Sequence, residues 1–227
     1  MEKNKKLDVD LWIIVLVTMA AFAVYAIWGK EIMAYCKNSD ISVWPRLFLA
    51  AALEFGIAGL GITIVSLLRK ESFVSFGLKK ENTLKTILGT VLCFLPYIIF
   101  VFASGQFEGY EPLSIMVTPD LHKSGIFASI IGTLIIAIVW GFFEGFNYAV
   151  ICEKVNRRYP VNKRFFDWGS LVCAVMGILF HNMHFDLAGI IEMLTTFIAL
   201  YGMLQVRRKY GNSWGCVFAF VFIWNAF

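Results

Sequence analysis

The sequence predicts an all-α, polytopic membrane bundle of seven or eight transmembrane helices, forming a single integral membrane domain over residues 1–227. Three observations carry that prediction. The chain is 59% hydrophobic, with a mean hydropathy of +0.72. Only 16% of its residues are charged, against about 25% in soluble domains. The apolar residues also fall into long runs separated by short cation-rich stretches. A soluble domain of this length could not bury so much apolar surface, whereas lipid solvates it. Lipid leaves no water for stray backbone groups, and period-2 alternation is absent, so the runs should be helices.

A span needs about 20 mostly apolar residues. Seven segments meet or approach that length: 11–33, 44–68, 84–103, 125–157, 165–186, 188–206 and 212–227. The basic start MEKNKKLDVD resembles a signal peptide, but its apolar run is long and no small-residue cleavage site follows, so it reads as a retained first span. The second segment carries Ala50, Ala51 and Ala52, then Gly56, Gly59 and Gly61, small residues that let helices approach closely in lipid. The stretch 72–82 (SFVSFGLKKEN) is amphipathic and is expected at the membrane interface. The fifth and sixth segments have almost no loop between them, which fits a tight hairpin or a broken helix. The seventh is short and starts from a turn at Gly211–Asn212.

Cations mark one side of this arrangement. They are Lys3, Lys5 and Lys6; Arg69, Lys70, Lys79, Lys80 and Lys85; Lys154, Arg157, Arg158, Lys163 and Arg164; and Arg207, Arg208 and Lys209. With seven spans, all four sets share a side. The longest opposite connection, 104–124, carries Glu108, Glu111 and Asp120 against Lys123. The positive-inside rule then puts the N-terminus in the cytoplasm and the C-terminus on the opposite side. The net charge of +4 therefore belongs to a membrane surface. No basic stretch is interleaved with aromatics for base stacking, so the expected partner is the lipid bilayer and not nucleic acid. Cys36, Cys93, Cys152, Cys173 and Cys216 are scattered without a CxxC pair and read as packing groups.

Polar groups at membrane depth carry the functional reading, because a charge at the bilayer centre costs at least about 2.5 kcal/mol. Glu144 lies deep in the fourth segment. Asn147 and Tyr148 fall on the same helical face, making an inward polar patch. His181 and His184 share a face at the end of the fifth segment, near Asn182 and Asp186, and Asn225 lies in the seventh. At 1.5 Å per residue, Glu144, His181 and Asn225 lie about 21, 24 and 20 Å from the cation-rich ends of their segments, which permits one common layer. A carboxylate out of water beside imidazoles and an amide suits water activation, with the donors stabilising an oxyanion. Two His and one Glu suit a divalent metal such as zinc. The plainer alternatives are a structural hydrogen-bond hub for Glu144, packing roles for His181 and His184, and a helix-bridging role for Asn225. Glu54 and Glu192 are further mid-segment carboxylates, suited to structural pairing or a lumen-facing role. His122 falls in a connection and reads as solvated, and the excess of Phe and Trp reads as lipid-facing and interfacial material.

From about residue 70 to 227 these features resemble the CAAX prenyl protease and bacteriocin-processing (CPBP, or Abi) family of intramembrane proteases. That family carries EExxxR, FxxxH and HxxxN or HxxxD motifs. Glu144 keeps the first glutamate in EGFNYA, while Gly145 and Ala149 replace the second Glu and the Arg. Phe180 to His184 fits the second motif, with His181 an extra imidazole. Asn225 fits the third, with Val221 in place of its His. The resemblance implies an intramembrane endopeptidase acting on a peptide or lipidated protein substrate. Glu144 would activate water, His184 and His181 would position or polarise or bind a metal, Asn225 would hold the oxyanion, and Asn147 and Tyr148 would contact substrate. The alternative is a catalytically inactive immunity or scaffold protein binding a partner in the bilayer. A carrier using Glu54, Glu144 and Glu192 ranks last, because no internal repeat is present.

Overall fold

The computed structural model describes residues 2–180, 184–224, 226 and 227. Among them the regular elements are helices, and five are long and apolar enough to cross a membrane. These are α1 (Glu2–Lys37), α2 (Val43–Arg69), α3 (Thr83–Ala103), α5 (Ile126–Arg158) and α7 (Leu187–Tyr210). A short helix α4 (Thr118–Lys123) precedes α5. The fifth and seventh expected segments form shorter apolar helices, α6 (Trp168–Leu179) and α8 (Trp214–Trp224). Each is about 17–18 Å long, well short of a hydrocarbon core of about 30 Å. Helix α6 stops at Leu179 and not near 186. A separate helix then starts at Leu187, where the Asp186 carboxylate accepts the Gly189 N–H at 2.8 Å.

The bundle is fastened at one end by ion pairs. Lys154, on the last turns of α5, is fully buried and donates to Asp10 Oδ2 at 2.9 Å and to Glu71 Oε2 at 2.7 Å. Asp10 also accepts from Arg69 Nε, Glu71 from Arg157, and Glu153 from both Arg157 and Arg207. Charge alternates along this chain and joins α1, the end of α2, α5 and α7. Lys154 Nζ and the Arg157 guanidinium each lie 5.5 Å from the centre of the buried Phe76 ring. Phe76 closes the 3-10 turn Phe73–Phe76. The 72–82 stretch is therefore tucked inward at Phe76, and several of the cations read as loop charges are partnered. A second cluster surrounds Asp167, the N-cap of α6, which accepts from Ser170 N–H, Asn156, Gln205 and Arg208.

The opposite end is fastened by a single buried guanidinium. Arg46, at the start of α2, donates to Cys36 O, Ser42 O and Asp120 Oδ2, the last at 2.9 Å, and Ser39 Oγ donates to the same carboxylate oxygen. This ties α1, α2 and α4 together. The last residues of the chain sit beside the 104–117 connection, where Glu111 N–H donates to Ala226 O. Between the two ends runs the main apolar core, which includes fully buried Phe94, Phe146 and Leu200. Many aromatics are thus core residues, alongside exposed ones such as Phe127.

Two outcomes follow from these ends. Lys154→Met leaves Asp10 and Glu71 without their central cation. Breaking such a buried pair costs about 3–5 kcal/mol, so the thermal unfolding midpoint of the detergent-solubilised protein should fall sharply. Burial pushes the Asp167 carboxyl up, but hydrogen bonds from Ser170 and Asn156 outweigh it and hold it below its ordinary value. A carboxylate lowered on folding contributes stability that is fully present above its unfolded value of about 3.9 and is lost as pH falls through the folded value. Wild type and Asp167→Asn should therefore differ most near neutral pH, and the difference should shrink as pH falls below the ordinary carboxylate value of about 3.9 when unfolding midpoints are followed downward.

Candidate functional site

Two long helices change winding at the middle of the bundle. Helix α2 has a π-helical turn at Phe55–Gly59, directly after Glu54, and α5 has one at Ala137–Phe143, directly before Glu144. A third closes α8 at Phe220–Trp224. The turn in α5 packs against the other two, and the Phe55 and Phe143 rings meet edge to face at 4.8 Å. A π turn adds a residue to the coil and loosens its hydrogen-bond ladder, and such turns are frequent at functional sites. Hydroxyls compensate here. Thr18 Oγ1 donates to Ile57 O and Thr63 Oγ1 to Gly59 O, both at 2.8 Å.

Glycine sets how closely α8 approaches Glu144. A Cβ at Gly145 would lie 2.6 Å from Cys216 O and 3.0 Å from Val217 Cα. A Cβ at Gly141 would meet Val221 at 2.5 Å. Position 145, where the resembling family has its second glutamate, is therefore a backbone contact with no room for a side chain. Ala149, at the motif-arginine position, is fully buried.

Glu144, Asn147 and Tyr148 all line one cavity of about 510 Å³. Glu54 and Thr18 line it too, as do Trp140 and, on α6, Phe180. The cavity runs from Thr18, at mid-bundle, to Cys36 at the end fastened by Arg46, about 27 Å along α1. Leu113 to Met116 line it at that end. Helix α1 departs from helical geometry at Trp28 (φ −114°, ψ 15°). An outer groove beside this kink shares Phe22, Tyr25 and Met33 with the cavity. Both carboxyl groups are enclosed by protein apart from the surface they present to the cavity. Each lies within electrostatic reach of the other. Among the described residues neither has an ion-pair or hydrogen-bond partner.

The helical spacing of Glu144, Asn147 and Tyr148 thus places them in one wall. His184 lies in the exposed connection after α6 and outside the cavity lining. His181 and Asn225 lie outside the described residues. Among the described residues, no three His, Cys, Asp or Glu side chains gather to hold a metal ion. Glu54 is the residue whose place in the site the sequence left open. Its signal was an acidic residue in mid-span, next to a run of small residues. Glu192 is not part of the lining. Compared with known proteins, the chain matches no family model, no curated protein and no solved structure.

Gly145→Ala should separate α8 from α5. Overpacking of this kind costs about 1–3 kcal/mol, visible as a lower unfolding midpoint. Gly29→Ala, whose added carbon would meet the Tyr25 ring at an ordinary 3.8 Å, should leave the midpoint unchanged.

Proposed function

We propose that the cavity is the site of a CAAX-protease-like intramembrane endopeptidase that hydrolyses a peptide bond of a membrane-associated peptide or lipidated protein. One observation carries this reading: Glu144, on a long apolar helix, lies in a cavity wall beside Asn147 and Tyr148, and among the described residues no Lys or Arg pairs with its carboxylate. Glu144 takes a proton from water, and the resulting hydroxide attacks the scissile carbonyl carbon. The proton passes to the leaving nitrogen as the C–N bond breaks, giving a carboxylic acid and an amine, which then exchange a proton to become carboxylate and ammonium. Asn147 and Tyr148 orient the substrate. His181, His184 and Asn225 keep the donor roles that the resemblance implies. Phe180 lines the cavity, and His184 follows it four residues later in sequence. The groove beside the kink at Trp28 offers a lateral path from lipid. The cation-rich, ion-paired end faces the cytoplasm, with the chain's last residues on the other side of the bundle.

A second reading, a non-catalytic membrane protein that binds a partner through the same cavity, is favoured by one feature. Positions 145 and 149 hold helix contacts where the family carries a carboxylate and an arginine. The two readings separate on purified protein in liposomes, incubated with prenylated and membrane-anchored peptides and followed by mass spectrometry. For an endopeptidase, Glu144→Gln should lower cleavage by about 10²–10⁴-fold, the usual contribution of a positioned base, with its unfolding midpoint retained. Cleavage that survives Glu144→Gln together with His184→Ala overturns the enzymatic reading. Binding of these peptides without cleavage by the wild-type protein selects the second.

A further inference from the structure

We propose that the cavity is a binding site for an organic cation with an apolar body, and that Glu54 is its second carboxylate, acting with Glu144. The proposal needs the cavity of the preceding section but not its hydrolytic chemistry.

Cations are spent freely elsewhere in this protein. Asp10, Glu71, Glu153, Asp120 and Asp167 each have at least one Lys or Arg partner. Glu54 and Glu144 share the wall of one interior cavity, and among the described residues no Lys or Arg reaches either. Two negative charges in one low-dielectric cavity are costly unless they are neutralised, by protons or by a positive charge shared between them. The chain places both at the edges of π turns, on two different helices, so that both present their carboxyl groups to the same space.

The walls define the rest of the occupant. Phe22, Tyr25, Trp140 and Phe180 line the cavity with the two acids. Aromatic faces attract a nearby cation and bury the hydrocarbon attached to it. A bare divalent ion fits less well. Calcium takes about six to eight oxygen ligands and magnesium close to six, and the described residues assemble no such set. A volume of about 510 Å³ falls in the range of about 300–1,000 Å³ typical of small-molecule sites. An amine, guanidinium or quaternary group on an aromatic or aliphatic body satisfies both the acids and the walls.

The test uses full-length protein in lipid nanodiscs, with tetraphenylphosphonium as the probe and empty nanodiscs as the partition control. Its isosteric anion, tetraphenylborate, has the same shape and opposite charge. Saturable binding of the cation to wild type is expected, with none of the anion. Glu54→Gln should raise the Kd at least about tenfold, equivalent to about 1.4 kcal/mol, and Glu54→Gln with Glu144→Gln should abolish binding. Equal binding of the two ions overturns the proposal without recourse to any variant. So does cation affinity unchanged in a folded Glu54→Gln protein, or no saturable cation binding to wild type, which would mean that the two carboxyl groups are neutralised by protons alone. Because no cleavage is measured, absent hydrolysis leaves this inference standing. Cleavage with no cation binding overturns this inference and leaves the hydrolase reading intact.

Discussion

The buried ammonium of Lys154 is the interaction on which the rest of the architecture depends. It lies between Asp10 and Glu71, so one side chain joins the start of α1 to the segment that follows α2 and to the end of α5. In water such a pair would contribute little. Here Lys154 is shielded from solvent, and the cost of desolvating it is offset only because two carboxylates and the Phe76 ring surround it. Packing alone defines helix register weakly when lipid is as apolar as the helices. A fixed set of ion pairs at one end supplies the missing register, and Arg46 with Asp120 does the same at the other.

With both ends pinned, the middle of the bundle can depart from regular winding. The π turns of α2 and α5 lie between the two ion clusters, and both cavity carboxylates sit at their edges. The same region holds the close glycine contacts at Gly141 and Gly145. The arrangement resembles many binding sites, in which strain and unpaired polarity concentrate where the surroundings are rigid enough to sustain them. The peripheral helix α1 differs. Its last turns, past the kink at Trp28, border both the cavity and the outer groove.

Much of this was legible in the sequence, for identifiable reasons. Hydropathy located the helices because a lipid-spanning segment must be apolar over most of its length. The 3.6-residue period placed Glu144, Asn147 and Tyr148 together because they share a turn. Other features were not legible. Lys154 reads as an interface charge, since nothing local shows that Asp10, 144 residues away, will bury it. The π turns have no residue code, so the shift that turns Glu54 and Glu144 toward one space could not be anticipated. The separate start of α7, capped by Asp186, was hidden because hydropathy reads two long apolar segments there and carries no cap signal.

The positions that depart from the CPBP-like motif bear on what the cavity does. Gly145 is a contact point that lets α8 approach Glu144, and a glutamate there would collide with the Cys216 backbone. The other carboxyl group lining this cavity comes instead from a different helix, at Glu54. Two carboxyl groups on separate helices respond to relative helix movement, whereas two adjacent ones would not. Any occupant that draws Glu54 and Glu144 toward a shared positive charge also draws α2 toward α5, across the π turns where the two helices meet. Ligand charge and helix packing are in that sense coupled. The cavity's chemistry depends on the same two π turns whether its occupant is cleaved or only held.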